Sequence, residues 1–268
     1  MLLLLAVNVF CQVMWGHTNA SRTSGGRFRG SVPLNELRSV HQKPFFSTEC
    51  IFRTPGVPLW YRIQRQKIGK ALRKEIPMYP PIAIREFVAN ALIHQDFYLG
   101  GSSPMIEIFG NRMEISNPGK PLIDIFRFID HTPISRNEKL ASLMRRMNIC
   151  EERGCGVDRA ITQCELYQLP APDFQKDDLF TKVIMYAPMT LRQMDKKDKR
   201  RACYQHCCLQ YLSGQKMTNE SFRGRLNISN ENYSMASRII ADTISVGYIK
   251  PDEAASSKKY AKYVPFWA

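Results

Sequence analysis

One helical segment sets the strongest constraint on what this chain can fold into. Residues 85–97, REFVANALIHQDF, are apolar around most of a helix, yet Glu86, Asn90 and His94 recur every fourth residue. Side chains four residues apart lie on the same face of a helix, so these three form a polar stripe that is one residue wide. Because unpaired polar groups are costly among apolar neighbours, the pattern predicts that the stripe lies at the bottom of a groove. A stripe that simply faces water is the alternative.

The residue types in the stripe suit a site for metal and phosphate. An asparagine side chain offers a neutral oxygen that Mg²⁺ accepts as a ligand, and phosphate oxygens would complete the coordination. A carboxylate one helical turn earlier can orient a water molecule. Helix spacing by itself leaves both interpretations of the stripe open.

Composition and charge favour an intracellular protein with an acidic partner. The chain has 268 residues, of which 44% are hydrophobic, which is enough for one large or two modest domains. Its formal net charge of +14 favours a polyanionic partner such as nucleic acid. The 8 cysteines do not form a disulfide framework, so reduced thiols and a cytoplasmic location are expected.

The first sixty residues are the least informative part of the chain. Residues 2–15 form an apolar run that is too short to span a bilayer and has no basic residue before it, so we expect no stable membrane association. Secretion with a signal peptide over residues 1–20 is the minor alternative. Residues 17–60 are rich in Ser, Gly, Arg and Pro, so segment 1–60 is interpreted as poorly ordered and as a truncated or rearranged start.

Residues 61–188 combine helices with antiparallel strands. Pro81 can occupy the first turn of the helix that carries the stripe, and Gly110-Asn111 forms the turn of a hairpin. An amphipathic helix over 135–148 and a helix that ends near Pro170 follow, and 178–188 is a strand. This order predicts an α+β sandwich.

The helix over 135–148 allows a more detailed prediction. Ser135 or Asn137 would be its N-cap. The residues of its apolar face would point into the core, namely Leu140, Leu143, Met144 and Met147.

The C-terminal part has the pattern of a small separate module. A basic linker over 189–202 precedes residues 203–268, where three short helices are followed by two short strands. This order predicts a winged helix-turn-helix domain, and a protein-interaction module is the alternative. Cys203, His206 and Cys207 share one helix face, but no second ligand pair follows, so buried thiols are favoured over a zinc site.

Two glycine-containing turns accompany the polar stripe. In EISNPG a strand ends at Asn117, whose amide can bond to the edge of a base, and Gly119 allows a planar ligand to approach the backbone. In ERGCGVDRA the glycines at 154 and 156 precede a helix, where free N–H groups and the helix dipole favour an anion. Each turn alone is weak evidence.

The order of these three pieces resembles the layout of GHKL ATPases. The strings REFVANALIHQDF, IEIFGNRMEISNPGKP, SRNEKLASLMRRMNICEERGCGVDRA and YQLPAPDF are more closely similar to the ATP-dependent DNA helicase RecG C-terminal family, which has a GHKL-like domain. The tail from Met217 is similar to the winged helix that commonly follows that domain. The resemblance covers about residues 76–268.

The resemblance implies a fold, cofactors and roles for named residues. The fold would be a GHKL-like (Bergerat) α/β sandwich that binds ATP and Mg²⁺. Asn90 would be the Mg²⁺ ligand and Glu86 the catalytic base. The remaining nucleotide contacts would be Asn117 and Gly119 at the adenine, and Gly154, Cys155 and Gly156 at the phosphates.

The chain departs from the family pattern in several places. GHKL enzymes usually have Asp where Asn117 stands, and the lid here contains few glycines. Residues 1–60 do not resemble the AlbA-like (Schlafen-type) domain that usually begins these proteins. The chain also contains no Gly-x-x-x-x-Gly-Lys-Ser/Thr loop, so helicase activity has no support in the sequence.

We therefore expect a transcriptional regulator in which ATP occupancy alters DNA binding or homodimerisation. An active ATPase in DNA processing and a degenerate fold that serves as an interaction scaffold are the alternatives. The residues expected to contact DNA are Asn232, Tyr233, Ser237 and Arg238 on a helix, and Lys258 and Lys259 near the wing.

Overall fold

The structure is a computed structural model that describes residues 64–68, 72–150, 156–252 and 261–268. The predicted N-terminal segment 1–60 and the alternative signal peptide lie outside the described residues. The described part begins with an antiparallel pair of strands, β1 (Gln64–Ile68) and β2 (Leu72–Ile76).

A four-stranded antiparallel sheet forms one layer of the sandwich. Its strands are β3 (Met105–Ile108), β4 (Arg112–Pro118), β5 (Asp173–Lys176) and β6 (Phe180–Tyr186). They are arranged in the order β3-β4-β6-β5. The predicted hairpin is confirmed, because β3 and β4 pair across the turn that contains Gly110 and Asn111.

Three helices form the other layer: α1 (Pro81–His94), α2 (Glu138–Arg146) and α3 (Gly156–Leu166). Helix α1 packs against both β4 and α3. Pro81 occupies the first turn, as predicted, where its missing N–H costs nothing. The prediction that the helix continues to residue 97 is wrong, because Gln95 has extended backbone angles and the Asp96 N–H donates to the Pro118 carbonyl.

The predicted inner face of the helix over 135–148 needs one correction. Met144 is buried, but Leu143 is 39% exposed and does not belong to the core. Asn137 occupies the N-cap position, yet its side chain does not cap the helix. It donates instead to the carbonyls of Ile93 and Gln95, so it ties α2 to the end of α1.

The α+β fold is therefore confirmed, and the antiparallel sheet with its helices is consistent with a GHKL-like α/β fold. Its core lies between the two layers. Representative buried side chains are Phe87 of α1, Ile115 of β4, Ala160 of α3 and Met185 of β6.

The C-terminal module consists of three helices and a two-stranded ribbon. These elements are α4 (Lys196–Leu212), α5 (Asn219–Arg225), α6 (Tyr233–Ser245), β7 (Ile249–Pro251) and β8 (Tyr263–Pro265). The element order agrees with the predicted one. In addition, Met217, two residues before α5, forms an antiparallel bridge with Tyr263 of the ribbon. The identification as a winged helix stays a prediction.

Two boundaries in this module differ from the predicted ones. Residues 196–202 are helical and not part of a linker, because Asp195 and Asp198 form a capping box that starts α4 at Lys196. The helix predicted from Ser229 begins as a short 3-10 turn over Asn230–Asn232, and α6 starts only at Tyr233.

The cysteines of α4 are buried thiols, as predicted. Cys203 and Cys207 are fully buried. Burial raises the pKa of both Cys203, to about 12, and Cys207, so both thiols are protonated at neutral pH.

No helix in the described ranges is both long and apolar enough to cross a membrane.

Helix α3 joins the sandwich to the C-terminal module. Ile161 is fully buried in the core of the module, beside Cys207 and Phe222. At the end of α3, Glu165 lies 3.0 Å from Nε of Arg225 and 3.1 Å from Nδ1 of His206. Arg225 also donates to the Leu169 carbonyl at 2.6 Å, so a buried guanidinium bridges the two parts of the molecule.

We expect Arg225→Ala to lower the free energy of unfolding by about 2–4 kcal/mol, because it removes the guanidinium group that the Glu165 carboxylate and the Leu169 carbonyl share. Arg223→Ala in the same helix is the matched control, since the partners of Arg223 among the described residues are Asn219 and Asn230 near the surface. Its cost should stay below about 1 kcal/mol. Urea unfolding of both variants measures the difference, and equal losses would contradict the role given to Arg225.

Candidate functional site

The polar stripe of α1 lines a cavity between α1, the sheet, α2 and the loop that follows β4. Glu86, Asn90 and His94 all border this cavity. Glu86 is 2% exposed, and the other two side chains are half-buried. The prediction that the narrow stripe lies in a groove is therefore confirmed, and the alternative of a freely solvated stripe is wrong.

A close contact between α1 and α3 shapes the inner end of the cavity. Glu86 Oε1 accepts a hydrogen bond from Arg85 at 2.6 Å. Its other oxygen, Oε2, would lie only 2.8 Å from a β-carbon built on Gly156. A β-carbon at this position would displace the buried carboxylate, because α3 begins directly against it. Gly156 thus lies beside Glu86 and Asn90, as the order of the motifs suggested, whereas Gly154 and Cys155 lie outside the described residues.

Asn90 is suited to hold a ligand in this cavity. Within the described part of the chain its side chain makes no hydrogen bond, although it borders the cavity one helical turn from Glu86. A free carboxamide oxygen next to a carboxylate is a donor set that a hard cation such as Mg²⁺ accepts. The described residues include no group of three or more His, Cys, Asp or Glu side chains that could hold a metal, so a cation here would need further ligands from phosphate groups.

The sheet contributes mainly apolar side chains to the cavity wall. Ile115, Phe174 and Val183 line the cavity, and Asn117, in the same strand as Ile115, lines it with 6% exposure. The Asn117 Nδ2 donates to the Pro118 carbonyl at 3.2 Å. This orientation leaves Oδ1 as an acceptor, so the side chain presents a neutral acceptor oxygen where an aspartate would present a charged one.

Gly119 has a steric role at the end of α1. Its φ angle is +101°, and a β-carbon on it would lie 2.8 Å from the β-carbon of Asp96. The glycine therefore permits a close approach of the chain to itself between two residues that line the cavity, Asn117 and Lys120. Its role beside the adenine stays a prediction.

The structure adds a cavity residue that the sequence reasoning missed, Arg136. Its guanidinium group donates to Asp96 at 3.2 Å, to the His94 carbonyl at 3.1 Å and to the Lys120 carbonyl at 2.6 Å. This arrangement gives a structural role to the His-x-Asp pattern, since Asp96 positions Arg136 at the cavity wall. The only sequence signal was that Arg136 precedes an amphipathic helix.

The cavity carries an excess of positive charge. Lys120, Arg136 and Arg145 line it, whereas Glu86 is the acidic residue among the lining residues. Lys182 also borders the cavity, but its ammonium group binds Glu114 at 2.7 Å. Burial, with a smaller contribution from Arg136, lowers the pKa of His94, so this imidazole is neutral at neutral pH. The charge of the cavity therefore favours the binding of an anion.

The residues predicted to contact DNA lie near the start of α6, but they differ in availability. Tyr233 is 62% exposed, and Asn232 and Arg238 are also exposed. Arg238 makes no ion pair or hydrogen bond within the described ranges. Ser237 accepts a hydrogen bond from Asn219 at 2.9 Å and donates to the Tyr233 carbonyl, so its hydroxyl mainly joins α5 to α6. Lys258 and Lys259 lie outside the described residues.

Comparisons with known proteins support the sandwich. Residues 101–185 match the family profile described as "Putative ATP-dependent DNA helicase recG C-terminal", so the predicted resemblance is confirmed over this segment. The match includes Asn117 and Gly156 but begins after the stripe of α1, so it does not cover Glu86, Asn90 or His94. No curated protein matches the chain.

Among solved structures, the DIP2311 protein from Corynebacterium diphtheriae is similar to this chain. The two are 20% identical, the TM-score is 0.41, and the match covers 62% of this chain. The chain spans about 37% of the length of that protein.

The contact between Gly156 and Glu86 leads to a prediction. Gly224→Ala in α5 should raise the free energy of unfolding by about 0.5–1 kcal/mol, because nothing lies within 4 Å of the new β-carbon and alanine favours a helix. Gly156→Ala should lower it by about 1–3 kcal/mol, because the new β-carbon overlaps Glu86. Thermal or urea unfolding measures both changes.

The double variant Gly156→Ala/Glu86→Ala tests the cause of this loss. Removal of the carboxylate should make the alanine at 156 less costly than it is alone, which a double-mutant cycle detects as a favourable coupling. Equal stabilisation of the two glycine variants would contradict the contact.

Proposed function

Since residues 101–185 belong to the RecG C-terminal family of ATPase-like domains, we propose that the cavity beside α1 binds ATP together with Mg²⁺. The single observation that carries this proposal is the gathering of Glu86, Asn90, Asn117 and Gly156 around one cavity, although they come from three separate elements. If these motifs were unrelated, we would not expect their residues to lie around the same cavity.

The lining of the cavity offers the two kinds of contact that a nucleotide needs. The apolar side chains near Asn117 would hold the base, with Oδ1 accepting from an exocyclic amino group. The basic residues Lys120, Arg136 and Arg145 would attract the phosphates. This excess of basic side chains supports ATP over the degenerate fold.

Asn90 would contribute its amide oxygen to Mg²⁺, and Glu86 would orient a water molecule from the inner wall. When bound, the cation would neutralise part of the charge of the phosphates. The contact of Glu86 Oε1 with Arg85 fixes the carboxylate, and its second oxygen lies on the side of Gly156.

We further propose that the C-terminal module is a winged helix that binds DNA and that the protein is a transcriptional regulator. The element order and the ribbon support this proposal. Asn232, which precedes α6, and Tyr233 and Arg238 of α6 are exposed, as the residues of a recognition helix that enters the major groove would be. The net charge of +14 favours the same kind of partner.

Titration of the full chain with ATP tests the nucleotide site. We expect the wild type to bind ATP in the presence of Mg²⁺, and Asn90→Ala to weaken binding by about tenfold or more, because a ligand of the cation is lost. Without Mg²⁺ the two proteins should differ much less. Asn111→Ala, which shortens an exposed amide in the β3–β4 turn, is the control and should bind like the wild type. Calorimetry that detects no ATP binding to the wild type would contradict the proposal.

The DNA-binding proposal predicts the effect of one exposed arginine. Arg238→Ala should weaken binding to mixed-sequence duplex DNA and should reduce the slope of log K against log salt concentration by about 1, because one phosphate contact is lost. Lys139→Ala removes an exposed charge from α2, outside the module, and should leave both quantities unchanged. Fluorescence anisotropy at several salt concentrations measures them, and identical behaviour of the two variants would exclude α6 as the contact surface.

A further inference from the structure

The loop between β4 and α2 is closed at its base. We call residues 120–136 the cavity loop. Arg136, its last residue, donates to the carbonyl of Lys120, its first residue, at 2.6 Å. The same guanidinium group binds the His94 carbonyl and the Asp96 carboxylate at the end of α1. Both ends of the loop are therefore fixed at the end of the helix that carries Glu86 and Asn90.

One side of the cavity loop forms a wall of the cavity. Lys120, Ile123, Phe128 and Ile134 are among its lining residues. The Phe128 ring packs edge-on against Phe174 at 5.4 Å between ring centroids. A ligand in the cavity would therefore contact this loop directly.

The other side of the same loop belongs to the C-terminal module. The Phe126 carbonyl accepts a hydrogen bond from the Tyr204 hydroxyl, and the Phe126 ring lies 4.9 Å from the ring of Tyr248. The Arg127 guanidinium lies 4.9 Å above the ring of Trp267. Ile129 is buried in the core of the module. Within three residues the chain thus changes from contacts with the module at Phe126 to contacts with the cavity at Phe128.

We propose that the cavity loop couples nucleotide occupancy to the C-terminal module, and this inference rests on the proposed function of the cavity. The loop is anchored at its base, and its middle contacts both the ligand site and Tyr204, Tyr248 and Trp267. A ligand that shifts or orders the cavity side of the loop changes the contacts on the module side. Because such coupling is reciprocal, loss of contacts on the module side changes the affinity of the cavity.

The direction of the change in ATP affinity follows from how well ordered the loop is before the nucleotide binds. Contacts with the module hold the loop in the position in which it lines the cavity. A variant that loses them leaves a more mobile wall, and the nucleotide must then order the wall on binding, which weakens its affinity.

A matched pair of conservative variants tests the coupling in the full chain. Tyr204→Phe removes only the hydroxyl that binds the Phe126 carbonyl and accepts from Trp267 Nε1. Tyr211→Phe also removes one hydroxyl from α4, and the Tyr211 ring packs edge-on against Trp267, with no contact to the cavity loop recorded among the described residues. We expect the dissociation constant for ATP with Mg²⁺ to rise about three- to tenfold in Tyr204→Phe and to stay unchanged in Tyr211→Phe. Equal constants in the wild type and Tyr204→Phe would overturn the coupling.

A second readout follows the response of the module itself. Trp267 is one of 3 tryptophans, so a background with Trp15→Phe and Trp60→Phe leaves it as the single reporter. Saturating ATP with Mg²⁺ should change the emission of Trp267, and Phe126→Leu, which keeps an apolar side chain but loses the ring contact with Tyr248, should reduce that change. An emission that stays constant while calorimetry records ATP binding would also overturn the coupling.

Hydrogen exchange separates failure of this inference from failure of the proposed function. Without any nucleotide, Tyr204→Phe should accelerate amide exchange in peptides from residues 120–136, whereas Tyr211→Phe should not. If the wild type binds no ATP, the proposed function fails, and the exchange result alone decides whether the module holds the loop. Unchanged exchange in Tyr204→Phe would show that the module does not hold the loop and would overturn the inference.

Discussion

The packing of α3 against α1 is the constraint on which the rest of the structure depends. The two helices meet where Gly156 lies beside the Glu86 carboxylate, with no room for a β-carbon. A glycine at this position lets α3 begin at the inner end of the cavity and brings its backbone next to Asn90. If α3 began further away, the cavity would lose its inner wall and Glu86 would be open to water.

The same helix determines the position of the C-terminal module. Ile161 enters the core of the module, and Glu165 meets His206 and Arg225. Charged groups in such a buried contact are costly to leave without partners, so an arrangement of the two parts that separated these groups would be destabilised. The predicted division into two domains with a linker over 189–202 did not anticipate this shared core.

Features that depend on local periodicity could be predicted from the sequence. The spacing of Glu86, Asn90 and His94 is a property of any helix, and the narrowness of the stripe indicated a groove before any contact was known. The hairpin around Gly110 followed in the same way from alternation and a turn pair. The family resemblance added the order of the motifs, and the resemblance itself is confirmed over residues 101–185.

Features that depend on contacts distant in the chain could not be predicted. The steric demand at Gly119 was not anticipated, because it comes from Asp96, which lies 23 positions earlier in the chain. Arg136 was missed for a similar reason, since its partners are at the end of α1 and at Lys120. Helix ends were also misplaced, because the hydrogen bond from Asp96 to Pro118 competes with continuation of α1.

Helix α3 and the cavity loop both connect the cavity with the C-terminal module, and they differ in how readily a ligand could move them. Helix α3 has 11 residues, and its far end is held by a buried carboxylate, a guanidinium group and an imidazole. Movement of α3 would separate these groups and expose uncompensated charge, which costs several kcal/mol, about 3–5 for one such pair. The cavity loop is held on the module side by one hydroxyl hydrogen bond and by ring contacts, each contributing about 1 kcal/mol. A ligand shifts such an equilibrium only by the difference between its affinities for the two positions of the loop. A tenfold difference in affinity corresponds to about 1.4 kcal/mol, which is comparable with one contact of the loop and smaller than the cost of moving α3. A signal from the cavity therefore reaches the module through the loop while α3 keeps the two parts together.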